Sequence, residues 1–161
     1  MPQIDIQNLR VSFDQIGGEV HALQGVCFQL EKGESIGIVG ESGSGKSVTC
    51  RAALGLLPKH SARITADALH VAGTEMLTAS KKDLSRIRGS VVSMIFQDPM
   101  SAFDPMFTIG FQIVETLRVH QRLSKAEARK KAIHLLERVN IPHAEGVFKL
   151  YPHQLSGGML Q

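Results

Sequence analysis

Apolar residues recur at near period two from Ile4, through Ile6 and then Leu9, Val11 and Phe13, and the same alternation returns at Val26, Phe28 and Leu30. Both stretches read as half-buried strands. After the turn residues Glu31-Lys32-Gly33-Glu34, the run Ser35-Ile36-Gly37-Ile38-Val39 has the continuous apolar character of a buried strand, and so does Ser90-Val91-Val92-Ser93-Met94-Ile95-Phe96. The pattern predicts a helix beginning at Lys46, carrying Val48, Ala52, Ala53 and Leu56 and stopping before Pro58. Residues 59–90 have no clean period and are read as exposed strand, turn and short helix. Farther on, Ser124 and Glu127 have capping-box spacing. Ala128, Ala132, Leu135, Leu136 and Val139 then make one apolar stripe, with Arg129, Lys130, Glu137 and Arg138 opposite. Strand-like pattern gives way to helical pattern near Gln97, which divides the chain into two lobes, 1–96 and 97–161.

Composition changes this picture little. The chain has 161 residues, 43% of them hydrophobic and 20% charged, and a net charge of +3 spread without blocks. That is a folding chain with a real core and no basic stripe of the kind that meets nucleic acid. The apolar runs fall well short of the ~20 residues that cross a bilayer. Cys27 and Cys50 form no Cys-x-x-Cys pair, and composition points to buried free thiols in a reducing compartment. The seven histidines show no i, i+4 pair and no carboxylate at metal-ligand spacing, so they read as surface or structural residues.

Candidate chemistry lies between the first buried run and the first helix. There the chain reads Gly40-Glu41-Ser42-Gly43-Ser44-Gly45-Lys46-Ser47. Glycines let backbone N–H groups turn inward around phosphate oxygens, and the helix start adds the positive end of its dipole. Lys46 would reach the β and γ phosphates, and Ser47 would offer its hydroxyl to Mg²⁺. The strand before and the helix after are the context this motif requires. On these residues alone the ligand is a nucleoside triphosphate, ATP or GTP.

A second motif, Leu155-Ser156-Gly157-Gly158-Met159-Leu160-Gln161, closes the sequence. With the phosphate loop upstream and Gln97 after an apolar run between them, it resembles the signature of the ATP-binding-cassette family. The resemblance implies an α/β P-loop NTPase fold: a RecA-like core with an antiparallel β lobe and a helical lobe. It also implies ATP and Mg²⁺ as ligands, and a pair of such subunits, identical or different, with two ATP molecules between them. In that arrangement Ser156, Gly157 and Gly158 face the γ-phosphate held by the other subunit. Gln97 resembles the glutamine that touches Mg²⁺ or the attacking water. Phe13 occupies the place of an adenine-stacking aromatic, and it reads equally as the last inward residue of its strand.

Three further stretches narrow the resemblance. Leu84-Ser85-Arg86-Ile87-Arg88-Gly89, the run from Ile95 to Pro105 containing Gln97-Asp98-Pro99-Met100-Ser101-Ala102-Phe103-Asp104, and Tyr151-Pro152-His153-Gln154 resemble bacterial dipeptide, oligopeptide and nickel importer ATPases. Leu160 looks more like some nickel-type members. The implied role is to couple ATP binding and hydrolysis to uptake, on the cytoplasmic face of the inner membrane. The implied partners are integral permease subunits and, indirectly, an extracytoplasmic binding protein. A soluble cassette ATPase of DNA repair or translation is the competing class, and nothing here resembles its basic arms. In the family a strand ending in the metal-holding aspartate and catalytic glutamate follows the signature, then the D-loop and switch histidine. Neither Asp98 nor Asp104 stands in such a context, so the sequence reads as truncated, either a fragment or a non-catalytic remnant, with poor stability and no useful turnover expected of it alone.

Overall fold

A computed structural model describes residues 2–58 and 60–161. They fall into two compact units, Met1–Ser93 and Met94–Gln161.

In the first unit, β1 (Ile4–Gln15) and β2 (Gly18–Leu30) form a long antiparallel hairpin. β1 is long enough to take two further partners on its other edge: β4 (Ala68–Val71) beside its first half and β3 (Ala62–Thr65) beside its second, with β5 (Thr74–Glu75) added outside β4. Ile6 and Leu9, three residues apart, are both fully buried, as is Val11. Strict alternation would put Leu9 on the opposite face from Ile6. A register shift between Ile6 and Leu9, with Asn8 at φ 52°, inserts the extra residue that returns Leu9 to the core. Over that face lie α1 (Lys46–Ala53) and α2 (Lys81–Ile87), which bury Ala52, Ala53, Leu84 and Ile87 against Leu23, Leu69, Val71 and Met76.

The second unit is helical. α3 (Ile109–Gln121) and α4 (Lys125–Arg138) pack together, followed by α5 (Ala144–Val147) and α6 (Gly157–Leu160). Its apolar interior holds Ile109, Leu117, Ala128, Ala132, Leu136, Ala144 and Leu160, and Phe148 packs against both parts of it. The box at the start of α4 is formed in full: the Glu127 N–H donates to Ser124 Oγ, and the Ser124 N–H donates back to Glu127 Oε2 at 2.9 Å. Among the described residues no helix is long and apolar enough to cross a membrane.

Several expectations are corrected. Residues 35–39 and 90–96 are not strands. A strand exists only by its ladder, and these runs find none among the described residues beyond an isolated parallel bridge between Arg88 and Val92. Val39, Val91 and Ile95 are accordingly 92%, 57% and 77% exposed. α1 ends at Ala53 because Gly55, at φ +62°, turns the chain, so that Leu57 is buried in place of Leu56. Val139 is the C-cap of α4 rather than part of its stripe and is exposed. In the stretch read as exposed, β4 buries Leu69 and Val71. Neither cysteine is buried: Cys27 takes the outward parity between Val26 and Phe28, and Cys50 lies on the outer side of α1 beside buried Thr49.

Gly110 in α3 donates its N–H to Phe148 O at 2.9 Å, and a Cβ built there would lie 2.4 Å from the Phe148 ring. Alanine is the better helix former by ~0.5–1 kcal/mol, but overpacking costs about 1–3 kcal/mol. Gly110→Ala is therefore expected to destabilise the helical unit, measured by urea unfolding; a stabilised variant would show that the ring yields freely.

Four carboxyls are held below their ordinary range. Hydrogen bonds from the Ser124 side chain and then its backbone do this for Glu127, those of Ser80 for Asp83, Gln7 and Gln29 for Asp5, and Ser12 for Glu19. A pKa lower in the folded than in the unfolded state gives stability that is present above the unfolded value and lost as pH falls through the folded one. The urea midpoint is expected to drop as pH is lowered from about 5 towards 3, and Glu127→Gln to remove part of that slope. A midpoint constant over this range would contradict the assignment.

Candidate nucleotide site and signature turn

The loop before α1 is shaped by glycine and closed by lysine. Gly43 and Gly45 have φ of +84° and +91°, a region that residues bearing a Cβ rarely enter. At Gly45 conformation and space coincide. A Cβ there would lie 2.4 Å from Leu23 Cδ2 and 3.0 Å from Ala22 O, so the loop can run this close to β2 only without a side chain. Gly40 is confined as well, since its Cβ would lie 2.7 Å from Ser44 Oγ. Gly45 is the N-cap of α1, and no side chain caps the helix. The first hydrogen bonds into α1 run from the Thr49 N–H (2.8 Å) and the Thr49 hydroxyl (3.0 Å) to Gly45 O, and the N–H groups of Lys46, Ser47 and Val48 have no partner among the described residues.

Lys46 turns back over the loop. Its ammonium donates to Gly40 O at 2.8 Å, Glu41 O at 2.6 Å and Ser44 Oγ at 3.3 Å, which places a positive charge at the centre of the ring of residues 40–46. Ser47 is exposed in the first turn of α1, and among the described residues its hydroxyl has no hydrogen-bond partner, which suits an oxygen-seeking cation. Glu41, Ser42, Gly43 and Ser44 are exposed too, so a ligand would reach the loop from solvent. Backbone donors at a helix start, with one ammonium and one hydroxyl beside them, fit a polyphosphate and its magnesium.

Phe13 lies in the same unit, pairs with Val20 and Ala62, and is half buried against the sheet core, which corresponds to the inward alternative of its two readings. Cavities open elsewhere as well. One of ≈ 430 Å³ is lined by Arg10, Ser12, Glu19, His21 and Arg63 among others, and none of residues 40–47 lines it.

The second unit carries the remaining candidates. Gln97 is exposed just ahead of a 3₁₀ turn (Pro99–Ala102) that Asp98 caps by accepting from the Met100 N–H at 3.1 Å. Ser156 is the N-cap of α6 and accepts from the Met159 N–H. Gly157 and Gly158 are exposed, with nothing within 4 Å of where a Cβ would stand, while Leu155 packs against the core and Leu160 is buried in it. The motif is thus an exposed glycine turn held from behind by two leucines. Leu23, which dictates glycine at position 45, was missed in the sequence, because a tertiary contact leaves no local signal.

A P-loop of this geometry on a β-rich unit, with a signature turn on a helical one, defines a nucleotide-binding cassette, and residues 23–161 match the family model described as ABC transporter; the chain belongs to that family. Among its relatives, the dipeptide transport ATP-binding protein DppD of Bacillus subtilis is 48% identical over 98% of this chain and 47% of its own length. The probable D,D-dipeptide transport ATP-binding protein DdpD of Escherichia coli is 48% identical over 99% of the chain and 49% of its own. The chain therefore spans about half the length of the curated relatives it matches. In fold it is similar to the dimeric post-hydrolysis state of the ATP-binding cassette MJ0796 bound to ADP and Pi, with a TM-score of 0.75 at 22% identity, covering 98% of this chain and 65% of that one.

Proposed function

We propose that this chain is the ATP-binding part of a peptide importer's energising subunit, with residues 40–47 holding the triphosphate. The observation that carries the reading is the start of α1: a glycine cap with no room for a side chain, an uncapped first turn and the Lys46 ammonium turned into the loop. Gly40, Glu41, Ser42, Gly43, Ser44 and Gly45 supply the cradle, Lys46 the charge on the β and γ phosphates, and Ser47 the hydroxyl for Mg²⁺. Magnesium, when bound, neutralises charge on the phosphates and orients them. Gln97 keeps the role the resemblance gives it, an amide for the metal or the attacking water. Phe13 is assigned to adenine only if its ring leaves the core face.

The names of the relatives support a dipeptide or oligopeptide as cargo. For nickel there is only Leu160, and burial in the helical core accounts for an apolar residue there. Nucleotide binding is the step assigned to residues 40–47, and hydrolysis is proposed of the whole protein. Exposed Ser156, Gly157 and Gly158 support a second cassette as partner: backbone N–H groups at a helix start would meet the γ-phosphate held by the other subunit. The chain's place is then the cytoplasmic face of the bacterial inner membrane, held there by permease subunits and supplied by an extracytoplasmic binding protein. No partner role for nucleic acid is proposed.

Lys46→Ala is expected to weaken ATP binding by about tenfold or more, the loss of a charge-assisted contact to phosphate, as read by titration of a fluorescent ATP analogue. Equal affinity would remove Lys46 from the site. Ser156→Arg in the whole protein is expected to leave ATP binding by one subunit within about twofold, since that residue touches only the other subunit's nucleotide, yet to abolish ATP-dependent dimers in sedimentation. Persistence of the dimer would refute the proposed trans contact.

A further inference from the structure

α1 has eight residues and measures about 12 Å, so a displacement at one end is carried to the other. Its start bears the phosphate loop. At its far end the N–H groups of Leu54, Gly55 and Leu56 donate to Cys50 O, Ala52 O and Arg51 O and close the helix in a turn. Two carbonyls just past that end, at Leu54 and Gly55, accept hydrogen bonds from one side chain distant in sequence: Arg88 donates from Nε to Leu54 O at 2.9 Å and from Nη2 to Gly55 O at 2.6 Å. The guanidinium is a rigid planar fork, so two such bonds fix direction as well as distance. Its charge also suits the negative end of the helix dipole.

The surroundings are built to hold this fork. Gly55 has φ +62°, and a Cβ there would stand 3.0 Å from Arg88 Nη2 and 3.4 Å from Leu84 Cδ2. Arg88 is half buried and held in turn by its own backbone. As the C-cap of α2 its N–H donates to Leu84 O at 3.0 Å, and the chain then folds back through the Gly89 N–H to Val92 O at 2.9 Å. One residue thus closes α2 with its backbone and ties down the turn after α1 with its side chain. The side chains that α1 buries, Thr49, Ala52 and Ala53, are small. The turn that closes α1 is thus anchored, through the carbonyls of Leu54 and Gly55, by a side chain distant in sequence.

We propose that Arg88 is a positioning residue for the nucleotide: it holds the C-terminal end of α1 so that the N–H groups at the helix start stay aimed at the triphosphate. The inference rests on the reading of residues 40–47 given under Proposed function. Arg88 makes no contact with the ligand and acts through the helix.

The test titrates fluorescent analogues of ATP and AMP against the protein, Arg88→Gln, Arg88→Lys and Lys46→Ala. General loss of folded protein weakens both nucleotides by the same factor and leaves their ratio unchanged, whereas misaiming the loop weakens the one that depends on β and γ phosphates. Arg88→Gln is expected to lower the preference for ATP over AMP about tenfold, as loss of a charged hydrogen-bond pair would. Arg88→Lys keeps the charge without the fork and is expected to lower it about threefold, and it carries the test if the glutamine variant does not fold. A preference unchanged in both Arg88 variants, alongside one lost in Lys46→Ala, overturns the role of Arg88 and leaves the phosphate loop standing. No preference for ATP in the parent protein overturns the loop reading and this proposal with it.

Discussion

The contact on which the first unit's chemistry depends is the approach of Gly45 to β2. Leu23 Cδ2 and Ala22 O occupy the space a Cβ would need, so the chain passes there as bare backbone, in a left-handed conformation, directly into the first turn of α1. That one constraint makes a glycine the helix cap, and a glycine cap has no side-chain oxygen to satisfy the first N–H groups. Those groups remain unspent, and Lys46, the first residue of the helix, swings back to the carbonyls of Gly40 and Glu41. Packing against the sheet and readiness for an anion thus come from the same contact.

Much of this was legible in the sequence because the signals are local. The box at Ser124 and Glu127 places the start of α4 without any tertiary knowledge, since both partners lie within one turn. The alternation from Ile4 to Phe13 located β1 even though a bulge at Asn8 breaks its period, because the bulge restores the inward set after one residue. The loop at 40–47 was readable for the same reason. What failed has a common physical cause: residues 35–39 and 90–96 have the composition of buried strands, but composition states a preference for burial and not which segment supplies the ladder. Thiol exposure at Cys27 and Cys50 depends on strand parity and helix phase, which amino-acid content does not contain. The Arg88 fork joins residues 33 and 34 positions apart, and nothing local to either end announces it.

The two motifs solve one physical problem in opposite ways. In the proposed function each offers backbone N–H groups at a helix start to an anion while keeping that start in place. At α1 the cap residue has no side chain, the restraint comes from crowding at Leu23, and the positive charge is built in through Lys46. At α6 the cap is Ser156, whose hydroxyl already accepts from the Met159 N–H, and the two glycines after it have open space around them. The restraint there lies behind the turn, where Leu155 packs on the helical core and Leu160 is buried in it. A loop crowded by its own sheet is fitted to enclose a ligand within one subunit. An open glycine turn, anchored from behind and bare in front, is fitted to meet a surface that arrives from outside. That difference in packing supports the proposal, drawn from the family resemblance, that the first motif holds the triphosphate and the second meets one held by another subunit.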